Sequence, residues 1–356
     1  VAFTADRSNA TGSGGGDRPH GLGAAGRERR ARIADLVVEA FEAAGWTWGF
    51  PGDRMADEWG CVWGKTAVAN SGQVVAHPLR DVTKLKDYRW PDPTDPRRYV
   101  DFEDQLSRAG DRFVMFCFGH GLWERLHMML SMEQAMLALT RHKDEVHEIL
   151  DRILDFHLVV LRKCQEIAGG RIDAAAMADD WGVQDRAFIS TKMFREFFKP
   201  RYAKWFAEIK ALGMHTWMHS CGKINTIVPE LIECGLEVIN NQQPETVGLR
   251  EFGDAFRGKI CFEAIVDTQS TLPRGTYDQI RQQARDICEH YGTPHGGLIA
   301  SDYNDAEAIG VTTDRRYVMF EAFAEHGGFP DYEETLAQVR RGERKPLPSW
   351  GRQAEQ

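Results

Sequence analysis

The chain has 356 residues, of which 42% are hydrophobic, and its 44 Lys and Arg against 53 Asp and Glu give a formal net charge of -9. This balance is typical of a soluble globular protein with a large core, and it excludes a disordered, collagenous or disulfide-dense chain. Nucleic-acid binders concentrate basic residues on one face, so the acidic excess argues against a nucleic-acid partner.

The first 90 residues are the least regular part of the sequence. Residues 1–4 resemble a short strand, and residues 8–16 form a glycine-rich loop without the GxxxxGK[ST] spacing of a phosphate-binding loop. Residues 28–44 predict an amphipathic helix. A segment rich in Gly and Trp follows and predicts irregular or hairpin structure; its tryptophans are Trp46, Trp48, Trp59 and Trp63. The proline-rich residues 90–96 then form a stiff connection.

Strand-like and helix-like segments alternate from residue 113 onward. The predicted strands are residues 113–118, 172–178, 215–219, 237–239, 259–266 and 298–300. Two helices are predicted after the first strand, and the second has apolar residues at helical spacing between positions 146 and 161. The remaining predicted helices are residues 191–212, 225–234, 248–256, 277–291 and 314–325.

This alternation predicts an α/β protein with a parallel sheet, because each strand is apolar enough to be covered on both faces. About seven or eight such units favour a closed (β/α)8, TIM-like barrel over an open doubly wound sheet, which would need a GxGxxG motif after an early strand. We expect a single barrel domain over residues 1–340, with an irregular Gly/Trp-rich N-terminal segment, and a polar tail over residues 341–356.

Cysteine usage and hydropathy indicate the compartment. The seven cysteines are an odd number, lack CxxC spacing and lie mostly in apolar runs, which predicts reduced thiols. No stretch reaches the roughly 18 consecutive apolar residues of a membrane-spanning helix, and the first residues do not resemble a signal peptide. We therefore expect a cytoplasmic protein.

Polar residues follow most of the predicted strands, and the active site of a barrel lies at this carboxyl edge. These strand ends are Gly119-His120, Asp179-Asp180-Trp181-Gly182, His219-Ser220-Cys221-Gly222, Asn240-Asn241-Gln242-Gln243, Asp267-Thr268-Gln269 and Ser301-Asp302-Tyr303-Asn304-Asp305.

His219 and Cys221 are the most specific of these residues. Side chains alternate across a strand, so His215, Trp217 and His219 share one face, and Cys221 continues that face at the strand end. At a rise of about 3.3 Å per residue, His215 lies about 13 Å from His219 and cannot bind the same metal. Zinc takes imidazole and thiolate ligands, so the pair predicts a zinc site.

A catalytic zinc site needs about three protein ligands and an open position. No cysteine follows another strand, so the third ligand must be a carboxylate. The available donors are Asp302, Asp305, Glu263 and Asp267, and Asp302 is the one we predict. The alternative is that His219 and Cys221 form an ordinary polar strand end, with a hydrogen-bonded imidazole and an unreactive thiol.

Three further residues are candidates for catalysis. Asp180 can act as a catalytic carboxylate, although the pair Asp179-Asp180 is equally suited to capping a helix. Glu263 lies within an apolar strand, where an acid is costly to bury unless it is paired or used, so either a catalytic role or an ion pair explains it. His120 can act as an acid or base, or simply as a hydrogen-bond donor.

At these residues the chain resembles the uroporphyrinogen decarboxylase superfamily, which includes corrinoid-linked methyltransferases. The resemblance covers about residues 90–327, and its most specific part is the HSCG segment followed by an asparagine-rich strand end. The matching stretches are WPDPTDPRRY (90–99), FGHGLWERLHMMLSM (118–132), ADDWGVQ (178–184), residues 190–200, HSCGKINTIVPELIECG (219–235), DTQ (267–269) and the sequence from GG (296–297) onward.

The resemblance implies a (β/α)8 barrel with a funnel at its carboxyl face. In the methyltransferase branch the His-x-Cys residues bind zinc, and their equivalents here are His219 and Cys221. That branch usually adds a cysteine after the GG of the last strand, where this sequence has residues 302–305 (DYND) instead. True decarboxylases carry an N-terminal arginine-rich motif, which residues 1–45 do not contain.

We therefore expect a methyltransferase that moves a methyl group from a small methoxy- or methylamino-type substrate to a corrinoid protein, with help from zinc. The alternative is a cofactor-independent decarboxylase acting on a tetrapyrrole or another acid, and a third possibility is a barrel that binds a ligand without turnover. The predicted catalytic residues are Asp180, Glu263 and His120; the predicted substrate-binding residues are Asp179, Trp181, Gln184, Gln243 and Tyr303.

Overall fold

The computed structural model describes residues 54–64, 72–110, 112–303 and 306–327. The strand predicted at residues 1–4, the loop at 8–16, the helix at 28–44 and the tail at 341–356 lie outside these residues, as do Asn304 and Asp305. All seven cysteines are free, as predicted. Among the described residues, no helix combines the length and apolarity that crossing a bilayer requires.

A small antiparallel sheet precedes the parallel one. Its three strands, in the order β1-β2-β3, are β1 (Arg54–Ala56), β2 (Val62–Gly64) and β3 (Gln73–Ala76). The Asp57 carboxylate holds the β1–β2 connection, because it accepts the backbone N–H groups of Trp59 and Cys61 at 3.0 and 2.8 Å and the Trp63 indole N–H at 3.1 Å. The described part of the Gly/Trp-rich segment therefore contains the hairpin that was one of the two predicted alternatives.

The main sheet has six parallel strands whose order in space is their order in sequence. They are β4 (Met115–His120), β5 (Ala174–Ala178), β6 (His215–His219), β7 (Val238–Asn241), β8 (Cys261–Ala264) and β9 (Leu298–Ala300). Each coincides with a predicted strand to within a few residues. Sequential parallel order, with helices in the connections, is the arrangement of a (β/α) barrel.

Helices cover the outer face of this sheet. Before β4 lies α1 (Phe102–Ala109), and three helices follow β4: α2 (Leu122–Leu130), α3 (Met132–Arg141) and α4 (Lys143–Ile167). The later helices are α5 (Thr191–Phe197), α6 (Lys199–Ala211), α7 (Val228–Cys234), α8 (Pro244–Val247), α9 (Leu249–Phe256), α10 (Thr271–Arg274), α11 (Tyr277–Tyr291) and α12 (Thr313–His326). Short 3-10 helices lie at Val82–Asp87, Pro96–Tyr99 and Ala306–Ile309.

Two helix boundaries differ from prediction for local reasons. Three helices follow β4 instead of two, because Ser131 adopts φ 80° between α2 and α3 and its hydroxyl accepts the Gln134 N–H as the cap of α3. The predicted helix 191–212 is divided into α5 and α6, whose second residue is Pro200. Proline lacks the N–H that a continuous helix would need there. The apolar stripe predicted in α4 is fully buried.

The alternation of side chains in β6 sets the position of the functional residues. Thr216 and Met218 are fully buried against the helices, whereas His215, Trp217 and His219 share the other, partly exposed face. Trp217 packs there against a small inner cluster of Met115, Ala174 and Ala176. The inner face of the sheet is thus lined by small residues of β5 and a large residue of β6.

Five residues at the carboxyl edge lie at one level across five strands. The strand pairing places His120 beside Ala178, Ala178 beside His219, His219 beside Asn240 and Asn240 beside Glu263. Paired residues in a parallel sheet project from the same face, on strands about 4.8 Å apart. The polar side chains predicted from separate strand ends therefore line a common edge.

Candidate active site

The structure brings three ligand-type side chains together at the ends of β5 and β6. The Nε2 atom of His219 lies 3.3 Å from the Cys221 Sγ and 3.5 Å from the Asp180 Oδ1. One ligand atom from each of the three residues lies within 4.8 Å of the other two, and each residue is partly exposed. The three side chains therefore open onto a shared space rather than into separate compartments.

Backbone contacts between two loops produce this convergence. Beyond β5 and β6 the pairing continues: the Asp179 N–H donates to the His219 carbonyl at 2.9 Å, and the Lys223 N–H donates to the Val183 carbonyl at 2.8 Å. The Asp180 Oδ1 accepts the Cys221 N–H at 2.7 Å, which fixes the carboxylate beside the thiol.

Two glycines permit these loops to touch. A Cβ on Gly182 would lie 2.6 Å from the Lys223 nitrogen, and a Cβ on Gly222 would overlap the backbone of Gly182. Gly222 also has φ 80°, a conformation that residues with a side chain rarely adopt. Only glycine at both positions allows the loop carrying Asp180 to lie against the loop carrying Cys221.

The electrostatics of His219 reflect two neighbours, Cys221 and Asp180. Burial alone would lower the pKa of His219, but the Cys221 sulfur and the Asp180 carboxylate outweigh burial and raise that pKa well above its ordinary value. The Nδ1 atom of His219 lies 2.5 Å from the Asn240 amide oxygen and donates its hydrogen to it. Nε2 is therefore the nitrogen that faces Asp180 and Cys221.

These residues fit a zinc ion. Zinc bond lengths of about 2.0–2.1 Å to nitrogen, 2.0–2.2 Å to oxygen and 2.3 Å to sulfur imply ligand-to-ligand separations of about 3.4–3.6 Å in a tetrahedral site. The observed separation of 3.5 Å between the His219 Nε2 and the Asp180 Oδ1 lies within this range, and the 3.3 Å between Nε2 and the Cys221 Sγ lies just below it. The donor set of one oxygen, one nitrogen and one sulfur is also one that zinc accepts.

Asp302, the predicted third ligand, is held elsewhere. Both of its carboxylate oxygens accept hydrogen bonds from the Arg316 guanidinium, and its Oδ1 also accepts the Tyr303 N–H at 2.9 Å. It is not among the three residues that converge, whereas Asp180 from the β5 end is one of them. Tyr303 itself is half-buried and packs against the hydrophobic core.

His120, the last residue of β4, contacts one residue of the antiparallel sheet and one residue of α2. Its ring stacks on the Trp63 indole at 5.7 Å between centroids, and its Nδ1 is hydrogen-bonded to the Glu124 Oε2 at 2.7 Å. Burial lowers the pKa of His120 to about 3, so the ring is neutral. Burial, followed by the Asp180 charge, raises the pKa of Glu124, which favours the protonated form of this carboxyl group.

Glu263 lies on the opposite side of the same level. Its Oε2 accepts the Trp217 indole N–H at 2.6 Å, and its Oε1 accepts the Ser301 hydroxyl at 2.8 Å. Burial raises its pKa, although these two donors oppose the change. Among the described residues no basic side chain forms an ion pair with Glu263, so the structural alternative of a salt bridge finds no support there.

Asp179 and Trp181, both predicted to bind substrate, are fully buried and make structural contacts. Asp179 is fully buried and accepts the N–H groups of Trp123 and Glu124, at 3.0 and 2.7 Å, together with the Tyr202 hydroxyl. It therefore caps the beginning of α2, the alternative considered for the aspartate pair. Trp181 is also fully buried, within an aromatic cluster that includes Trp123, Phe194 and Phe198.

Gln184 and Gln243, also predicted to bind substrate, differ in position. Gln184 is exposed at the rim, and its amide oxygen accepts the Thr246 hydroxyl at 3.4 Å. Gln243 uses its amide oxygen to accept the Gly222 N–H at 2.9 Å, so it supports the loop carrying Cys221. The structure therefore places the Gln243 amide oxygen against the backbone next to Cys221.

Glu124 and Trp63 are not among the site residues predicted from the sequence. Glu124 follows His120 by four residues within the FGHGLWE stretch, and this spacing could have suggested the contact because the helix begins directly after the strand. No signal distinguishes Trp63 from the other tryptophans of its segment, because its position depends on Asp57 and the antiparallel sheet.

Comparison with known proteins shows that the sequence matches a known family. A profile of the uroporphyrinogen decarboxylase (URO-D) family matches residues 64–301. Methylcobamide:CoM methyltransferase MtaA of Methanosarcina barkeri is 28% identical over 119 residues, and the same enzyme of strain Fusaro is 27% identical over 114 residues. Each alignment covers 32% of this chain and 32% of the relative, so the similarity spans about a third of either protein.

A solved structure extends the similarity at the level of fold. The methyltransferase from Methanosarcina mazei superposes with a TM-score of 0.57 over 82% of this chain and 84% of that one, at 19% sequence identity. Together with the sequential parallel strands, this similarity confirms the predicted α/β fold of the TIM-barrel type.

Proposed function

Because the chain belongs to the uroporphyrinogen decarboxylase (URO-D) family, we propose that it is a zinc-dependent methyltransferase, which moves a methyl group from a small methoxy- or methylamino-type substrate to a corrinoid carried by a partner protein. The observation that carries this proposal is the convergence of Asp180, His219 and Cys221 at the ends of β5 and β6. Such a set of ligands has no part in a decarboxylation that proceeds without a metal. The similarity to two methylcobamide:CoM methyltransferases supports methyl transfer that involves a corrinoid.

In this proposal Asp180, His219 and Cys221 hold the zinc ion. When bound, zinc supplies Lewis acidity to the oxygen or nitrogen atom that carries the methyl group. The three ligands come from two adjacent strand ends, so the rest of the edge remains available to substrate. Glu263, held by Trp217 and Ser301, faces that space from β8 and orients the polar part of the substrate.

Glu124 is the proton source in this proposal. Transfer of the methyl group as a cation to a reduced corrinoid leaves an electron pair on the heteroatom, which must gain a proton. Glu124 is suited to supply this proton, because burial, the largest influence on its pKa, favours the protonated form of the carboxyl group. His120, neutral and stacked on Trp63, fixes the Glu124 carboxyl group in place.

Metal content and methyl transfer together test the proposal. We expect purified protein to hold about one zinc ion per chain, lost on treatment with a chelator. We also expect it to methylate free reduced cobalamin from a methoxy- or methylamino-type donor, followed by the absorbance change of the corrinoid. The Cys221→Ser variant should lose both properties.

A different outcome would point to the decarboxylase. A sample with less than about 0.2 zinc per chain that releases carbon dioxide from an acid, unaffected by chelator, would replace the methyltransferase with a lyase. Retention of zinc without methyl transfer from any of methanol, methylamines or methoxylated aromatics would keep the metal site but reject the proposed substrate class.

A further inference from the structure

The strand end after β7 reads Asn240-Asn241-Gln242-Gln243, and three of its four carboxamides contact the loop that carries His219 and Cys221. Asn240 accepts the His219 Nδ1–H at 2.5 Å. Asn241 donates its amide N–H to the Ser220 carbonyl at 2.8 Å. Gln243 accepts the Gly222 N–H at 2.9 Å. The three amides thus bind positions 219, 220 and 222 of one short segment.

The orientations of the Asn240 and Asn241 amides are fixed by a second contact. The Asn240 Nδ2 donates to the Glu263 carbonyl at 3.4 Å, which leaves its oxygen facing His219. The Asn241 Oδ1 accepts the Gln243 N–H at 3.0 Å, which leaves its nitrogen facing Ser220. Asn240 and Asn241 are also buried, so water does not compete well for these groups.

We propose that the carboxamides of Asn240, Asn241 and Gln243 are positioning residues that hold His219 and Cys221 in the geometry of metal ligands. This inference rests on the zinc site of the proposed function. Outer hydrogen bonds of this kind orient a ligating imidazole and typically change metal affinity by 10–100-fold when they are removed. Neutral amides supply the hydrogen bonds without adding charge beside Asp180 and Cys221.

The segment from Asn240 to Gln243 also contains a residue suited to a control variant. Gln242 lies between two of these residues, but its contact with the neighbouring loop is through its backbone carbonyl, which accepts the N–H and hydroxyl groups of Thr268. In the described part of the chain its side chain makes no hydrogen bond to residues 219–222. A Gln242→Leu variant therefore removes an amide from the same strand end without touching the ligand loop.

The experiment measures zinc affinity by competition with a chromophoric chelator, in variants shown to be folded by circular dichroism. We expect Asn240→Leu and Gln243→Met each to weaken zinc binding by about 10–100-fold, and Gln242→Leu to change it by less than about twofold. Gln243 is only half-buried, so Gln243→Met remains informative if Asn240→Leu does not fold.

Carboxylate replacements separate the two kinds of hydrogen bond. A carboxylate accepts but does not donate. Asn240→Asp and Gln243→Glu therefore keep the oxygens that accept the His219 and Gly222 N–H groups, although Asn240→Asp loses its weak donation to the Glu263 carbonyl, and both should bind zinc within about fivefold of the parent protein. Asn241→Asp loses its bond to Ser220 and should bind at least about tenfold more weakly. The visible spectrum of the cobalt-substituted protein reports the geometry of the ligands directly. It should therefore change in the variants that weaken zinc binding.

The outcomes distinguish this inference from the proposed function. If the parent protein binds no zinc, the metal site itself is wrong. If the parent protein binds zinc and Asn240→Leu and Gln243→Met bind it equally well, with unchanged cobalt spectra, only the positioning role is rejected. Equal weakening in Gln242→Leu would also reject it, since a general effect on the strand end would then explain the losses.

Discussion

Gly182 and Gly222 face each other across the loops that follow β5 and β6, so closely that a methyl group on either one would overlap the backbone of the other loop. This contact is the reason that a carboxylate from one strand end reaches an imidazole and a thiol from the next. A change at either glycine should therefore affect metal binding before it affects the barrel as a whole.

Gly222→Ala tests this relationship. We expect a loss of about 1–3 kcal/mol in the free energy of unfolding, measured in urea, because the substitution combines a left-handed backbone with a steric overlap. Zinc affinity should fall at least about tenfold, since Cys221 moves with the loop. Gly258→Ala is the matched control: Gly258 has φ 75° but nothing within 4 Å of an added Cβ. It should cost only about 1 kcal/mol and leave zinc binding unchanged.

The identity of the third ligand can be tested with two asparagine variants. Asp180→Asn keeps an oxygen that can accept the Cys221 N–H but removes the charge, so we expect zinc affinity to fall more than about 100-fold, beyond the effect of an outer hydrogen bond. Asp302→Asn should retain full zinc stoichiometry, because Asp302 is held by Arg316. A loss of zinc in Asp302→Asn, with retention in Asp180→Asn, would reverse the assignment.

The neighbouring aspartate should behave differently. Asp179→Asn places an amide N–H₂ among the three donors that the carboxylate now accepts, so we expect about 3 kcal/mol lower stability in urea unfolding. Tyr202→Phe removes one of those donors and should cost about 1 kcal/mol. Asp180→Asn, at a partly exposed position, should cost less than about 1 kcal/mol. Similar losses from both aspartates would contradict the division between a capping and a ligand residue.

The ion pairs of Glu230, which lies outside the candidate site, should make the stability of the protein sensitive to acid. Its carboxylate is almost fully buried and accepts hydrogen bonds from Arg195 and Lys199, which lower its pKa from 4.5 to about 2. A depressed pKa in the folded state means that the stabilisation is complete above about pH 4.5 and is lost as the pH falls towards 2. Because Arg195 is largely exposed, we expect Glu230→Gln to lose about 2 kcal/mol at pH 7.

The measurement for Glu230 is urea unfolding at pH 7 and pH 3. The difference between the parent protein and Glu230→Gln should shrink at pH 3, where the carboxylate begins to protonate. Glu233 pairs with the same Lys199 but is mostly exposed, so Glu233→Gln should change stability by less than about 0.5 kcal/mol at either pH. A pH-independent difference for Glu230→Gln would reject the electrostatic explanation.

The sequence was sufficient to predict the strands, their parallel order and the shared face of His215, Trp217 and His219, because these follow from local apolar patterns and the two-residue period. It could not identify Asp180 as the partner of His219, since that contact depends on the path of two loops and on the small size of Gly182 and Gly222. Nor could it predict the burial of Asp179 and Trp181, which depends on Trp123 of α2 and on aromatic residues of α5 and α6 that pack around them.

Ala178 occupies the level between His120 and His219, and its side chain is the smallest of the five in that row. A longer residue there would project from the same face of the sheet as His120 and His219. A histidine or cysteine at this one codon would set another donor next to His219, whereas a bulky aliphatic residue would close the opening. Substitution of this one residue could thus change which metal a related barrel prefers, or restrict the substrates that it accepts.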